Sequence, residues 1–295
     1  MSAMSSPARP ILTSLANPRI KAAAALRERR DRDRTGRTLI DGTRELRRVL
    51  EGDAVVEEVF ICESHLAGPD ARVVLDDLRA REIRVVSVSE AVLARLAFGD
   101  RAEGVVAVVR TPSLDLGALV VPVDPLVVVI EGVEKPGNIG AVLRSVDGAG
   151  ADALIAADAR TDLFNPNAIR ASAGAIFSVP LAAASSAAAL AWLRGRDLRI
   201  VTARVDAERL YTDVDLTGPL AIVLGAEAEG LSDTWAGPDF EAVRLPMLGV
   251  ADSLNISVTA AILLYEARRQ RDVPGGSWSP RRPLGDHATT HRTTG

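Results

Sequence analysis

Residues 125–133, PLVVVIEGV, set Leu126, Val127, Val128, Val129 and Ile130 in one unbroken apolar row. Side chains of a strand alternate between two faces, so such a row requires both faces to be covered, as in a parallel sheet with helices above and below. The second half of the chain keeps to that plan. Its patterns predict helix 138–148, strand 153–157, helix around 165–174, helix 184–195, strand 198–203, strand 219–224 and a closing helix 255–270. Alternating βα units predict an α/β fold built on a parallel sheet. Before it, RTLIDGTRELRRVLEG reads as a strand entering a helix, VVEEVFIC as a strand, DARVVLDDLRARE as a helix, and IRVVSVS and GVVAVVRTPS as strands, a smaller α/β unit. The expected division is a flexible N-terminus at 1–16, a first unit at 17–113, a linker at 114–124, a second unit at 125–270 and a disordered tail at 271–295.

Composition removes several classes of function. With 295 residues the chain is long enough for two units, and 47% hydrophobic residues with 3% aromatics describe cores of Ala, Val and Leu. No apolar stretch reaches the roughly 18 residues of a membrane span. The start, MSAMSSPARP, has no apolar stretch of a secretory signal, and the single Cys62 excludes an internal disulfide, so a cytoplasmic location is expected. The three histidines are His65, His287 and His291, too few and too scattered for a zinc cluster or for a Ser-His-Asp triad in the second half; no metal is expected.

Net charge is −4, yet residues 19–48 hold eleven bases against five acids. A basic stretch on a mildly acidic chain suits a phosphate backbone. The competing reading is a solvated helix whose acids and bases, as in RERRDRDR, pair with one another. Both stay open from the sequence. The candidate RNA contacts are Arg29, Arg30, Arg32 and Arg44 here and Arg170 in the second half.

Three polar segments stand at strand-to-helix transitions in the second half: EGVEKPGNIGAVLRS, LGAEAEGLS and LPMLGVADSLNIS. Ligands of open α/β sheets bind where loops leave the carboxyl ends of strands. If Asn138 caps its helix, Arg144 lies about one and a half turns in and can reach toward the same mouth. In the second segment Gly225 and Gly230 permit close backbone approach around Glu227. In the third, Ser253 and Asn255 either bind a ligand or cap the closing helix. Each segment alone also suits an ordinary capped helix or turn. GAGADA, at 148–153, lies between a helix and a strand, the reverse of a dinucleotide fingerprint.

Together and in this order, the three segments resemble the motifs of the SpoU family of RNA 2'-O-ribose methyltransferases, of the knotted SPOUT superfamily, over residues 125–268. The first unit is similar, more weakly, to that family's L30e/L7Ae-like RNA-binding domain. The Arg-rich, Lys-poor composition and the ANPRIKAAAALR start resemble the actinomycete 23S ribosomal RNA methyltransferases of the avilamycin-resistance type. The resemblance implies a trefoil-knotted homodimer acting on ribosomal RNA, with S-adenosylmethionine held largely by backbone groups. It implies that Leu224, Gly225, Leu245, Met247, Ser253 and Leu254 surround the cofactor, and that Asn138, Arg144, Glu227 and Asn255 face the ribose. Guanidinium is permanently protonated, so Arg144 either works with an RNA phosphate as proton acceptor or stabilises the developing alkoxide while Glu227 orients it. The alternatives are a transfer RNA ribose methyltransferase, a non-catalytic RNA-binding protein, and a dehydrogenase, against which the missing glycine fingerprint counts.

Overall fold

The computed structural model describes residues 10–52, 54–66, 69–98, 103–227 and 229–272. Helix α1 (Pro18–Ala25) opens on Pro18, whose missing N–H is no loss in a first turn, and the Asn17 side chain caps it by accepting from Arg19 N at 2.9 Å. Helix α2 (Arg29–Thr35) closes on Gly36 in the left-handed conformation. There follow β1 (Arg37–Asp41), α3 (Thr43–Glu51), β2 (Val56–Ile61), α4 (Pro69–Ala80), β3 (Val85–Ser87), α5 (Glu90–Leu96) and β4 (Val105–Arg110). The four strands form one sheet in the order β1-β4-β2-β3, antiparallel except for the β2–β3 pair that α4 connects. Helix α5 and the pairing of Leu12 with Val88 are additions to what the sequence patterns indicate.

The second half holds β5 (Leu126–Glu131), α6 (Pro136–Ala149), β6 (Ala153–Ala157), α7 (Pro166–Ala171), β7 (Leu181–Ala184), α8 (Ser186–Arg194), β8 (Arg199–Ala203), β9 (Arg209–Leu210), β10 (Leu220–Leu224), β11 (Glu241–Arg244) and α9 (Ile256–Arg271). Its seven strands are ordered β7-β6-β5-β10-β8-β11-β9, and every pairing is parallel. All residues of β5, β6 and β10 are buried, as their two-sided apolar rows require. The chain lays β5, β6 and β7 toward one edge, returns through α8 to β8, and later inserts β10 between β5 and β8 and β11 between β8 and β9. Loops after β5, β10 and β11 therefore leave the same end of the sheet. The helix expected from residue 184 starts at Ser186 because 181–184 pair with β6; Ala-rich LAAA has helical propensity, and the sheet edge overrides it. Gly150 ends α6 in the left-handed conformation, so GAGADA is a helix-to-strand turn. No helix among the described residues is long and apolar enough to cross a membrane.

The two sheets are locked together through α7 and the segment between β6 and α7. Arg32 is buried, forms a 2.6 Å ion pair with Asp162, and donates to the carbonyls of Leu26 and Arg27. Thr38 Oγ1 donates to the Phe164 carbonyl at 2.8 Å, and Arg170 reaches the buried Asp41 at 3.2 Å. One apolar core runs through both halves, joining Ile40, Leu46 and Val49 to Val142, Val146 and Leu263. Residues 114–124 lie against the sheet edge, where Asp115 pairs with Ala183. Residues 1–9 and 273–295, which include most of the expected flexible ends, lie outside the described residues.

Candidate active site

The three polar segments meet at the carboxyl end of the sheet. Lys135 is the N-cap residue of α6 and Pro136 its first residue, so Asn138 stands in the first turn and is not the cap that its position in the sequence suggests. Its side-chain amide donates to Glu227 Oε1 at 3.1 Å. Asn255 is the cap of α9: its Oδ1 accepts from Ser257 N at 2.9 Å and from Ser257 Oγ at 2.6 Å. The amide nitrogen of Asn255 is left to donate to Asn138 Oδ1, at 3.2 Å, and to Glu227 Oε1. Capping and site building are thus done by the two ends of one side chain.

Glu227 is the hub of this cluster. Its other oxygen accepts from Lys135 Nζ at 3.0 Å. The lysine first, then the two asparagine amides, hold the Glu227 carboxyl below its usual range. Glu227 is presented by a tight excursion: Gly230 N donates to Ala226 O at 2.9 Å, and a Cβ on Gly225 would stand 2.2 Å from the Gly230 carbonyl carbon. Only glycine at 225 lets the loop return so closely. The cluster borders an open cleft lined by Val133, Lys135, Asn138, Arg160, Glu227 and Glu229.

The loop that carries Glu227 is anchored by a residue the sequence patterns do not single out. Glu131, buried at the end of β5, accepts from Ser232 N at 2.7 Å, Ser232 Oγ at 2.8 Å, Trp235 Nε1 at 2.9 Å and Ser186 Oγ. A buried carboxylate needs such donors, and here they pin the far end of the loop that carries Glu227. Its only signal in the sequence is an acid closing an otherwise apolar strand.

Arg144 does not join the cluster. Six residues along α6 from Asn138, it lies about 240° around the helix; it is exposed and makes neither a hydrogen bond nor an ion pair with a described residue. The expectation that Glu227 orients it is corrected: Glu227 is committed to Lys135, Asn138 and Asn255. Leu224 is buried, Leu245 and Met247 are half-buried, and Ser253 and Leu254 are exposed. Residues 247–254 form no hydrogen bond with other described residues, so their backbone N–H and C=O groups are unspent.

The basic segment divides. Arg32 is corrected from RNA contact to structural ion pair, because its guanidinium is buried against Asp162. Arg29 pairs with Asp33 at 3.4 Å, and Arg34, Arg37, Arg47 and Arg48 are paired with nearby acids. Arg30 and Arg44 are exposed without an ion pair to a described residue. Arg170, half-exposed, is bound to Asp41. Among the described residues no group of three His, Cys, Asp or Glu could hold a metal ion.

A profile of the SpoU rRNA Methylase family matches residues 125–265, and one of the MRM3-like substrate binding domain matches residues 17–107. Over 257 residues the chain is 32% identical to the 23S rRNA (uridine(2479)-2'-O)-methyltransferase of Streptomyces viridochromogenes, covering 84% of this chain and 88% of that relative. The chain belongs to the SpoU rRNA methylase family. Among solved structures this SpoU methylase resembles an RNA 2'-O ribose methyltransferase, with 43% identity, a TM-score of 0.77, and 88% of this chain and 99% of that one covered. It also resembles the AdoMet-bound rRNA methyltransferase from Sinorhizobium meliloti, with 27% identity, a TM-score of 0.80, and 90% and 99% covered.

Proposed function

We propose that the protein is an S-adenosylmethionine-dependent methyltransferase of ribose 2'-hydroxyls in ribosomal RNA, 23S being the RNA that the relatives' names support. The observation that carries this reading is the Asn138–Glu227–Asn255 cluster, assembled from three loops of a chain that belongs to the SpoU family. The unspent backbone groups of 247–254 suit a cofactor gripped through main-chain hydrogen bonds, with Leu224, Gly225, Leu245, Met247, Ser253 and Leu254 around it. When bound, S-adenosylmethionine supplies an already activated methyl. The chain's own task is then to align the ribose hydroxyl and accept its proton. Alignment contributes on the order of 7–11 kcal/mol and proton transfer about 10²–10⁴-fold, so positioning dominates.

Glu227 suits orientation better than proton abstraction. A carboxylate held below its usual range by Lys135 is a weak base at neutral pH. It fixes the amide of Asn138, which keeps one N–H for the ribose, while the Asn255 amide is engaged within the cluster on both ends and holds it together. Arg144, free of any ion pair to a described residue, has its guanidinium available for the developing alkoxide or for a phosphate.

Finer features belong to the same reading. The insertion of β10 and β11 between earlier strands and the return of α9 onto α6 support a trefoil-knotted unit at 125–270, preceded by an L30e-like RNA-binding unit at 17–113 and a linker at 114–124. Val258 and Tyr265, seven residues apart on one face of α9, are exposed apolar residues that support a homodimer through that helix. With ribosomal RNA as substrate, the inferred place of action is the cytoplasm. The narrower avilamycin-resistance role predicts a raised inhibitory concentration when the protein is expressed in a sensitive host. Calorimetry with S-adenosylhomocysteine, together with mapping of 2'-O-methyl groups on 23S rRNA incubated with the protein and labelled cofactor, tests the main reading. Absence of both binding and transfer refutes it.

A further inference from the structure

Arg160 lines the same cleft as Lys135, Asn138 and Glu227, on a segment whose backbone is pinned on both sides. Arg160 N donates to the Val133 carbonyl at 3.2 Å. Two residues earlier the Asp158 carboxylate accepts from Ser186 N at 2.9 Å; two residues later Asp162 forms the buried pair with Arg32. The side chain is held quite differently. Its Nη1 donates to Glu134 at 2.9 Å and to Glu229 at 3.0 Å, and its Nη2 to Glu229 at 2.6 Å. The guanidinium is half-exposed and both carboxylates are more exposed still. Exposed pairs contribute little to stability and exchange readily. A planar guanidinium can satisfy two phosphate oxygens at once, which makes a phosphate a fair exchange for these two acids.

We propose that Arg160 binds an RNA phosphodiester at the edge of the cleft, and that Glu134 and Glu229 hold its guanidinium in place until a backbone phosphate beside the target ribose displaces them. The proposal rests on the reading of the protein as an RNA ribose methyltransferase. Its logic is a root fixed by buried bonds and a charged head kept extended by replaceable partners. The two acids also repel any RNA that fails to engage Arg160, which trades affinity for selectivity.

The test measures binding of the full chain to a 23S rRNA transcript over a range of salt concentrations, with S-adenosylhomocysteine binding and methyl transfer followed in parallel. Arg160→Ala is expected to weaken RNA binding several-fold and to flatten the log-log salt slope by roughly 0.7–0.9, the value of one phosphate contact. KM for RNA should rise more than kcat falls, and S-adenosylhomocysteine affinity should stay as in the wild type. Replacing both acids, Glu134→Gln with Glu229→Gln, is expected to tighten RNA binding several-fold, since the phosphate then displaces no anion. Unchanged affinity and slope in Arg160→Ala while the wild type methylates RNA, or weaker RNA binding in the double glutamine variant, overturns this proposal alone. A wild type that neither binds S-adenosylhomocysteine nor transfers a methyl overturns the methyltransferase reading and this proposal with it.

Discussion

Asn255 spends its two side-chain ends on different tasks, and Glu227 collects donors from three loops, so single substitutions here should separate binding from chemistry. Arg144→Ala should abolish methyl transfer yet leave S-adenosylhomocysteine affinity near normal, because no bond in the cluster depends on it. Arg144→Lys should fail as well, since a point charge does not reproduce a planar fork. Near-normal turnover in either variant would remove Arg144 from the reaction. Glu227 carries a pH prediction. Its folded pKa lies below the ordinary 4.5, so its charged form is present at all pH values above that range and its contribution is lost only as pH falls through the lower folded value. The rate profile should therefore show no acid limb from Glu227 near neutrality, and Glu227→Gln should lower the rate without moving the limbs that remain. A limb between pH 5 and 8 that vanishes in the glutamine variant would mark Glu227 as the base instead.

At the scale of elements, α9 has two faces with different duties. Ile256, Ala260, Leu263 and Leu264 are buried within the chain's own core beside Val142, Leu143 and Val146 of α6. Val258 and Tyr265 are exposed on the other face. The apolar spacing of the helix shows only that its first set is buried, and not against what. Val258→Glu with Tyr265→Glu should therefore give a folded monomer by light scattering, whereas Leu264→Glu should lose the fold itself, seen as a collapse of the thermal transition. A wild type already monomeric at working concentrations would contradict the dimer. Helix α2 shows the same division on a smaller scale: it buries Arg32 and exposes Arg30.

For the whole molecule, the two halves share an apolar core and are pinned by a few polar contacts at their junction. Arg32→Ala strands Asp162 in a buried site and should cost about 3–5 kcal/mol of stability while leaving the salt slope of RNA binding unchanged. Arg30→Ala with Arg44→Ala should do the reverse, flattening that slope with little change in melting temperature. Failure of the second variant to alter RNA binding would place the RNA grip outside the basic segment. Asp41 and Glu45 face one another's surroundings at this junction, with Arg170, Glu103, Arg27 and Arg44 near them. Burial is the main cause that pushes both carboxyls above their ordinary 3.8 and 4.5. Folding thus favours their protonated forms: stability rises as pH falls from neutral through the folded values, and the gain is complete below the ordinary ones. Urea unfolding of Asp41→Asn with Glu45→Gln, followed from neutral pH down to the ordinary carboxyl values, should show that part of the pH dependence removed; an unchanged pH dependence over that whole range would refute it.

The sequence by itself determined the parallel α/β sheet, since a row such as Leu126–Ile130 tolerates no exposed face. It also determined the three polar segments that carry the site, because a family's loops are read as contiguous residues in order. It did not determine which arginines are free, because Arg30 and Arg32 differ only in what lies 130 residues away, at Asp162. Strand β7 was not legible because local Ala-rich propensity says helix and only the edge of β6 says strand. Glu131 showed only as an acid closing an apolar strand, and its role was not legible for the same reason: its donors, Ser186, Ser232 and Trp235, come from distant parts of the chain. Arg144 was placed with Asn138 by counting turns along the axis, whereas six residues also set it about 240° around α6 from Asn138. Contacts between neighbours in the chain obey periodicity, which a sequence displays. Partners far apart in the chain meet only through the order of strands in the sheet, which tertiary packing alone decides.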